Sequence, residues 1–367
     1  MGEDWHAGVD DRGRRASPPG SLRGATAVRT LPGTFVGGSV AISPDGRLGL
    51  CGGDNEPVRL WDLATGTLLR TLGSRGAGAA GVATDGRSVW ASGDGTFMRG
   101  TATGWMRRFH TFDPRGLRPV DRRIHHDQSA RVRGGQGAVA FSASGGFALG
   151  ICADHALRLW DLSDGTCTRT LIGHTPYPDA VWLDADGRRA VSAGSDAEIR
   201  VWDVDSGECA VFPHPGSCIS SVCLSPDGRL VLAAGDRRGI PLPSRNPGLR
   251  RFRGRGLSGR TLWLVDASTG DLVRTFEDVR RRGLRRPRHP GDRSVEALTA
   301  RFTSDGRFAV SGGDDGRIRV WNTTSGRCVR TLDGHTDDVY GIALTPDDRF
   351  LLSGGSDGTL RLWELDW

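Results

Sequence analysis

LRLWDLSDGTCTRTL, residues 157–171, decides the fold. An alternating apolar run ends in Trp160-Asp161, a polar turn follows at Ser163–Gly165, and a second short run closes at Leu171. Two short runs with period-two patterning, joined by turn formers, are paired β-strands. The same pattern returns as VRLWDLATGTLLRTL (58–72), IRVWDVDSGECAVF (199–212), IRVWNTTSGRCVRTL (318–332) and LRLWELDW (360–367). Two weaker copies keep the phase. FMRGTATGWMRRF (97–109) has Arg99 at the Trp position, and LWLVDASTGDLVRTF (262–276) has Val265 there with Asp266 retained.

A second element precedes each copy: SPDGR (43–47), ATDGR (83–87), SASGG (142–146), DADGR (184–188), SPDGR (225–229), TSDGR (303–307) and TPDDR (345–349). Asp-Gly between apolar runs is a tight hairpin signal, because glycine accepts positive φ without a Cβ clash. Each unit therefore reads as strand a, turn, strand b, turn, strand c ending at Trp-Asp, turn, strand d. Four antiparallel strands per repeat make one propeller blade, and the copies number seven. The expected fold is all-β: a seven-bladed β-propeller of four-stranded antiparallel blades. The last copy stops at strand c, whereas ATAVRTL (25–31) resembles the strand d ends GTLLRTL and GTCTRTL. That N-terminal strand is expected to complete the last blade and remove an open sheet edge.

Over residues 25–367 the chain resembles the WD40 family. The resemblance implies a hydrogen-bonded tetrad in each blade: a His before strand a, a Ser on strand b, the Asp of the b–c turn and the Trp of strand c. The set is complete at His174, Ser192, Asp196, Trp202 and at His335, Ser353, Asp357, Trp363. Ser311, Asp315 and Trp321 match without the His, and in the third blade only Asp154 and Trp160 match. The second and fifth blades depart most. The resemblance also implies a non-catalytic protein-interaction scaffold, and relatives in bacteria accompany signalling or regulation.

Composition agrees with many short strands. There are 55 Gly among 367 residues, and all 49 basic residues are Arg. Exclusive use of Arg is the signature of GC-rich coding and suggests a high-GC bacterium. Cys167, Cys209 and Cys328 each follow a strand c Trp by seven positions, so they are one repeat position seen three times. No CxxC pair occurs, and the seven Cys read as small, half-buried thiols. No apolar run approaches the ~20 residues of a membrane span, and Met1–Gly24 lacks the apolar core of a signal peptide. Residues 1–24 read as a disordered leader, 25–367 as the propeller, and the expected compartment is the cytoplasm with a monomeric chain.

Two G-x-G-x-x-G matches, at Gly76, Gly78, Gly81 and at Gly254, Gly256, Gly259, are followed by strands. A dinucleotide site needs a helix there, so both read as glycine-rich turns. His125, His126 and Asp127 lie in a polar loop without a partner cluster. There is no nucleophile elbow, P-loop or HExxH. No catalytic residue, metal or cofactor is expected.

What does not repeat is more informative. The spacing between strand c positions is 42 residues for 160–202 and 321–363 but 61, 63 and 56 for 99–160, 202–265 and 265–321. Three insertions result, at about 113–133, 237–260 and 277–293. They carry six Arg against three Asp, eight Arg with no acid, and seven Arg against three acids. The whole chain is only +6, so basic charge is segregated into them. In the expected topology d–a and b–c loops share one end of the ring, here called the top. Arg250, Arg251, Arg253, Arg255, Arg280, Arg281, Arg282, Arg285, Arg286 and Arg288 are the candidate partner-binding residues, for an acidic or phosphorylated protein. Solvated loops drifting toward Arg under coding bias explain the same composition. Nucleic acid is the weaker alternative, since Phe252 is the lone interleaved aromatic. A propeller enzyme with a central-channel site is weaker still.

Overall fold

The computed structural model describes residues 22–32, 39–53, 56–72, 79–82, 88–93, 96–101, 105–110, 139–152, 155–164, 166–175, 178–196, 198–214, 218–236, 260–276 and 297–367. Their backbone forms seven four-stranded sheets. Each is an antiparallel meander, and the innermost strands contact one another in sequence, from Val40–Ile42 round to Val339–Leu344 and back. We number the blades in chain order: 40–72, 79–110, 139–171, 178–213, 218–276, 297–332, and 339–366 completed by Gly24–Pro32. Six of them are described with their side chains, and blade 2 as backbone alone. The expectation of a seven-bladed β-propeller is corrected to this extent: only six of the blades are described in full. Blade 2 is the copy that keeps least of the repeat, with Arg99 at the Trp position.

Closure uses both ends of the chain. Gly24–Pro32 pairs antiparallel with Thr359–Asp366, from Gly24↔Asp366 to Pro32↔Thr359, with a bulge at Val28. The described residues of this stretch begin at Leu22. Leu22 is buried in a cluster with Phe308, Val339, Trp363 and Leu365, and the Arg23 amide donates to Asp366 O. Apolar burial at Leu22 thus anchors the strand before its first ladder pair.

The turn sequences explain themselves in hydrogen bonds. In the a–b turn of blade 1, the Ser43 hydroxyl donates to Asp45 Oδ1 (2.6 Å), which also accepts from the Arg47 amide, while Leu48 N donates back to Ser43 Oγ. Ser225/Asp227 and Thr303/Asp305 repeat this arrangement. The fourth residue takes left-handed φ, as at Gly46 (71°), Gly187 (77°) and Gly228 (72°). Blade 7 differs, since Asp348 holds that position at φ 57°.

In the Trp-Asp pair the Asp caps the c–d turn. Asp62 Oδ1 accepts from Thr65 N, Asp203 Oδ1 from Ser206 N and Asp266 Oδ1 from Ser268 N and Thr269 N. Bonds to the charged form hold both the Asp62 and Asp266 carboxyls below their ordinary range, from Thr65 N at Asp62 and, at Asp266, from the Ser268 hydroxyl first and then the Ser268 and Thr269 amides.

Core residues lie between blades rather than in one central mass. Val191, Ala193, Ile199 and Val201 of blade 4 pack on Ile219, Val222, Val231 and Trp263 of blade 5. Leu149, Leu157 and Leu159 of blade 3 meet Val181, Leu183 and Trp202 of blade 4. Successive strand residues face alternate neighbours, so the blades described with their side chains are apolar on both faces.

Candidate functional site

The top face carries the tetrads. In blade 4, His174 Nδ1 pairs with Asp196 Oδ2 (2.7 Å), and Nε2 with Ser192 Oγ (2.7 Å). Ser192 Oγ also accepts from Trp202 Nε1 at 2.8 Å. Blade 7 repeats the set: His335 reaches Asp357 Oδ2 at 3.0 Å and Ser353 Oγ at 2.8 Å, and Trp363 Nε1 donates to Ser353 at 2.9 Å. In each, the carboxylate also accepts the amide after the His, from Thr175 and Thr336. Burial pushes both imidazoles below their ordinary value, opposed by the paired carboxylate.

Composition alone resembles a hydrolase triad, but the geometry differs. Both Ser are fully buried, and each hydroxyl is enclosed by His and Trp. A nucleophile needs an open approach and oxyanion donors aimed at a reacting carbonyl. These groups brace a turn.

The other described blades solve the same packing problem with different residues. In blade 6 Trp321 Nε1 donates to Ser311 Oγ, while Asp315 takes a bidentate pair from the buried Arg319, at 2.9 and 2.6 Å. Asp315 is thus satisfied by a cation of its own blade. In blade 5 Val265 lies opposite Val231, as the alignment placed it, and Trp263 opposite Ala233 fills the positions held elsewhere by Arg and Ser. In blade 1 the strand b hydroxyl is replaced by Cys51, whose thiol burial pushes up to about 11. In blade 3 it is replaced by Gly150, where an added Cβ would come within 2.9 Å of Trp160. Asp154 lies outside the described residues.

The opposite, bottom rim holds a relationship the motif reading missed. Four of the Arg residues in strands d that end in Arg-Thr-Leu or Arg-Thr-Phe reach the following blade. Arg29 donates to Ala64 O and Thr65 O, Arg169 to Asp205 O and Arg274 to Ser325 O. Arg330 donates to Arg23 O at the start of the closing strand. The receiving turns carry glycine at positive φ, and a Cβ at Gly66 or Gly326 would strike Arg29 or Arg274. The signal was present as the recurring RTL, but coding bias offered a sufficient reason for Arg there.

All ten candidate partner-binding Arg, from Arg250 to Arg288, lie outside the described residues, as do His125, His126 and Asp127. Their flanks are described. Asp236 pairs with Arg260 across strands b and c of blade 5, and Phe276 ends strand d opposite Leu262. Both insertions therefore leave from the same end of that blade.

A family model, "WD domain, G-beta repeat", matches residues 165–203, 207–238, 285–322 and 326–364. Three of the matches begin at the c–d turn of one blade, and all four run toward strand c of the next, the phase that the sheets show. The four matched stretches of this chain resemble WD40 repeats. Tryptophans 202, 321 and 363 of the tetrad positions all fall inside WD40 matches.

Among curated proteins, protein tipD of Dictyostelium discoideum is 25% identical over 179 residues, 49% of this chain and 24% of that protein. Periodic tryptophan protein 2 homologs match over shorter stretches. The mouse protein is 53% identical over 34 residues, 9% of this chain and 4% of that protein. The Caenorhabditis elegans protein is 36% identical over 52 residues, 14% and 6% respectively. The chain spans at most about a quarter of these relatives' length. WD40 repeats are protein-interaction scaffolds, generally without catalysis of their own. Among the described residues no helix is long and apolar enough to cross a membrane.

Proposed function

We propose that this chain is a rigid, non-catalytic platform that binds a protein partner through its top-face loops, with the Arg-rich insertions of blade 5 and its junction to blade 6 as the contact. The observation that carries the reading is the pair of stems, Asp236–Arg260 and Phe276, opening at one end of one blade. Loops rooted that close concentrate guanidinium groups, which match carboxylate or phosphate acceptors in bidentate geometry. The partner that fits is an acidic or phosphorylated protein segment. The same reading keeps the protein monomeric and in the cytoplasm, where the six described thiols stay reduced.

Affinity purification with the intact chain is compared with a variant carrying Arg-to-Ser changes at Arg250, Arg251, Arg253, Arg255, Arg280, Arg281, Arg282, Arg285, Arg286 and Arg288. Selective loss of a protein partner supports the reading, and unchanged recovery overturns it. Nucleic acid is the second outcome tested. Binding to DNA whose affinity falls steeply and linearly with log salt, lost in the same variant, would move the function to polyanion binding.

A further inference from the structure

Where blades 6 and 7 meet on the bottom face, one interface departs from the repeat. At two other junctions the phenylalanine that opens strand b packs on the turn glycine of the following blade: Phe147 against Gly187 and Phe350 against Gly46. At the blade 6–7 junction that glycine is replaced by Asp348. Its carboxylate turns back to Ser304, accepting from the amide at 2.8 Å and the hydroxyl at 2.7 Å. Phe308 packs instead on Trp367, with ring centroids 4.9 Å apart at 40°. Trp367 is fixed by its own Nε1, which donates to Asp348 O at 2.8 Å.

The result is an open cleft of about 210 Å³ lined by Thr303, Ser304, Asp305, Phe308, Asp347, Asp348 and Trp367. It has an aromatic wall and three carboxylates. Asp305 and Asp347 each use Oδ1 inside their own turn, toward Thr303 and Arg307 N in one case and Thr345 and Arg349 N in the other. Among the described residues Arg307 stands beside the cleft, with Nε 3.9 Å from Asp305 Oδ2 and the guanidinium 5.9 Å from the Phe308 ring centre. Arg349 is drawn off toward Glu364. Burial, and then the like charges of Asp305 and Asp347, raise the Asp348 carboxyl above its ordinary value.

We infer that this cleft is a second docking point, which takes an arginine side chain presented by a partner's peptide segment. A planar guanidinium stacks on an aromatic face and bonds carboxylates at its edge, so one side chain answers both features of the cleft. Arg307 already approaches both Asp305 and Phe308 from outside the cleft lining. The inference rests on the scaffold reading but concerns the opposite face from the Arg-rich loops.

The test titrates the intact chain with acetyl-Gly-Arg-Gly amide and, separately, with the same peptide carrying citrulline, following the indole N–H resonance of Trp367, assigned with Trp367→Phe. The expected result is a saturable shift with the arginine peptide and binding about tenfold weaker with the isosteric, uncharged citrulline. Asp305→Asn combined with Asp347→Asn weakens the arginine peptide by a similar factor while the thermal midpoint holds. Absence of a saturable shift, or equal response to both peptides, overturns the inference without reference to any variant. Neither result bears on the top-face loops, whose failure is read by partner recovery.

Discussion

Arg29 and Thr65 lie 36 positions apart and are joined across the closure of the ring. Arg29 NH1 donates to Thr65 O at 2.9 Å, and NH2 to Ala64 O at 2.6 Å. Arg29 belongs to the N-terminal strand, which the ladder with Thr359–Asp366 ties to blade 7. These two bonds tie the same strand to blade 1, and Arg330, donating to Arg23 O at 2.6 Å, ties it to blade 6. The closing strand is therefore held by three blades, although it ladders with one.

Arg29→Ala is expected to lower unfolding stability by about 1–2 kcal/mol, since the bonds are charge-assisted but partly exposed. It should also increase protease cleavage near residues 22–32. Arg274→Ala removes one equivalent bond from a strand covalently continuous with its blade, and should cost less. Urea unfolding and limited proteolysis of both variants check the order, and equal effects would remove the special role of Arg29.

Two substitutions at equivalent strand b positions should shift stability in opposite directions. Ser353 Oγ accepts from Trp363 Nε1 and pairs with His335 Nε2, all fully or nearly fully buried. Ser353→Ala strands both groups and is expected to cost about 2–4 kcal/mol. In blade 1 the corresponding residue is Cys51, and Trp61 Nε1 there has no oxygen acceptor. Cys51→Ser supplies one and is expected to stabilise by about 1 kcal/mol. Chemical denaturation of both variants reads the signs, and a destabilised Cys51→Ser would show that burying the hydroxyl outweighs the new bond.

The repeat was legible because it is written in residues with local duties. Ser43 and Asp45 fold their own turn, Asp62 caps another, and Trp202 finds Ser192 ten positions away in a neighbouring strand. Pairings beyond these turn and tetrad duties were not legible, whether within a blade or between two. Arg319 at the same register as Arg200 takes Asp315, whereas Arg200 takes Glu198, because each blade presents a different acid near the guanidinium. Asp348 stands where other copies of the turn carry glycine, yet its side chain bonds Ser304 at a separation of 44 residues. Nothing in the local pattern announces an acceptor needed that far away. The candidate Arg residues differ again: their charge was plain in the sequence, but loops outside the repeat carry no register from which to derive contacts.

Acid stability should be governed in part by His214. It is buried at the junction of blades 4 and 5, its Nε2 lies 3.3 Å from Gly194 O, and burial pushes its value down to about 4. Gly194 O and Asp196 favour the charged ring, while His174 opposes it. The folded state binds this proton less readily than the unfolded chain, whose His titrates at about 6.5. Stability is therefore highest above that value and falls as pH drops from about 6.5 toward 4, where the unfolded chain is already protonated. The full difference amounts to about 3 kcal/mol. His174 and His335 add to the decline with the same sign, since burial lowers both. His214→Gln keeps an amide donor toward Gly194 O and cannot titrate, so its loss of stability between pH 7 and 4.5 should be shallower than that of the unaltered chain. Unfolding curves at half-unit pH steps measure the two slopes, and parallel slopes would show that His214 is not a governing group.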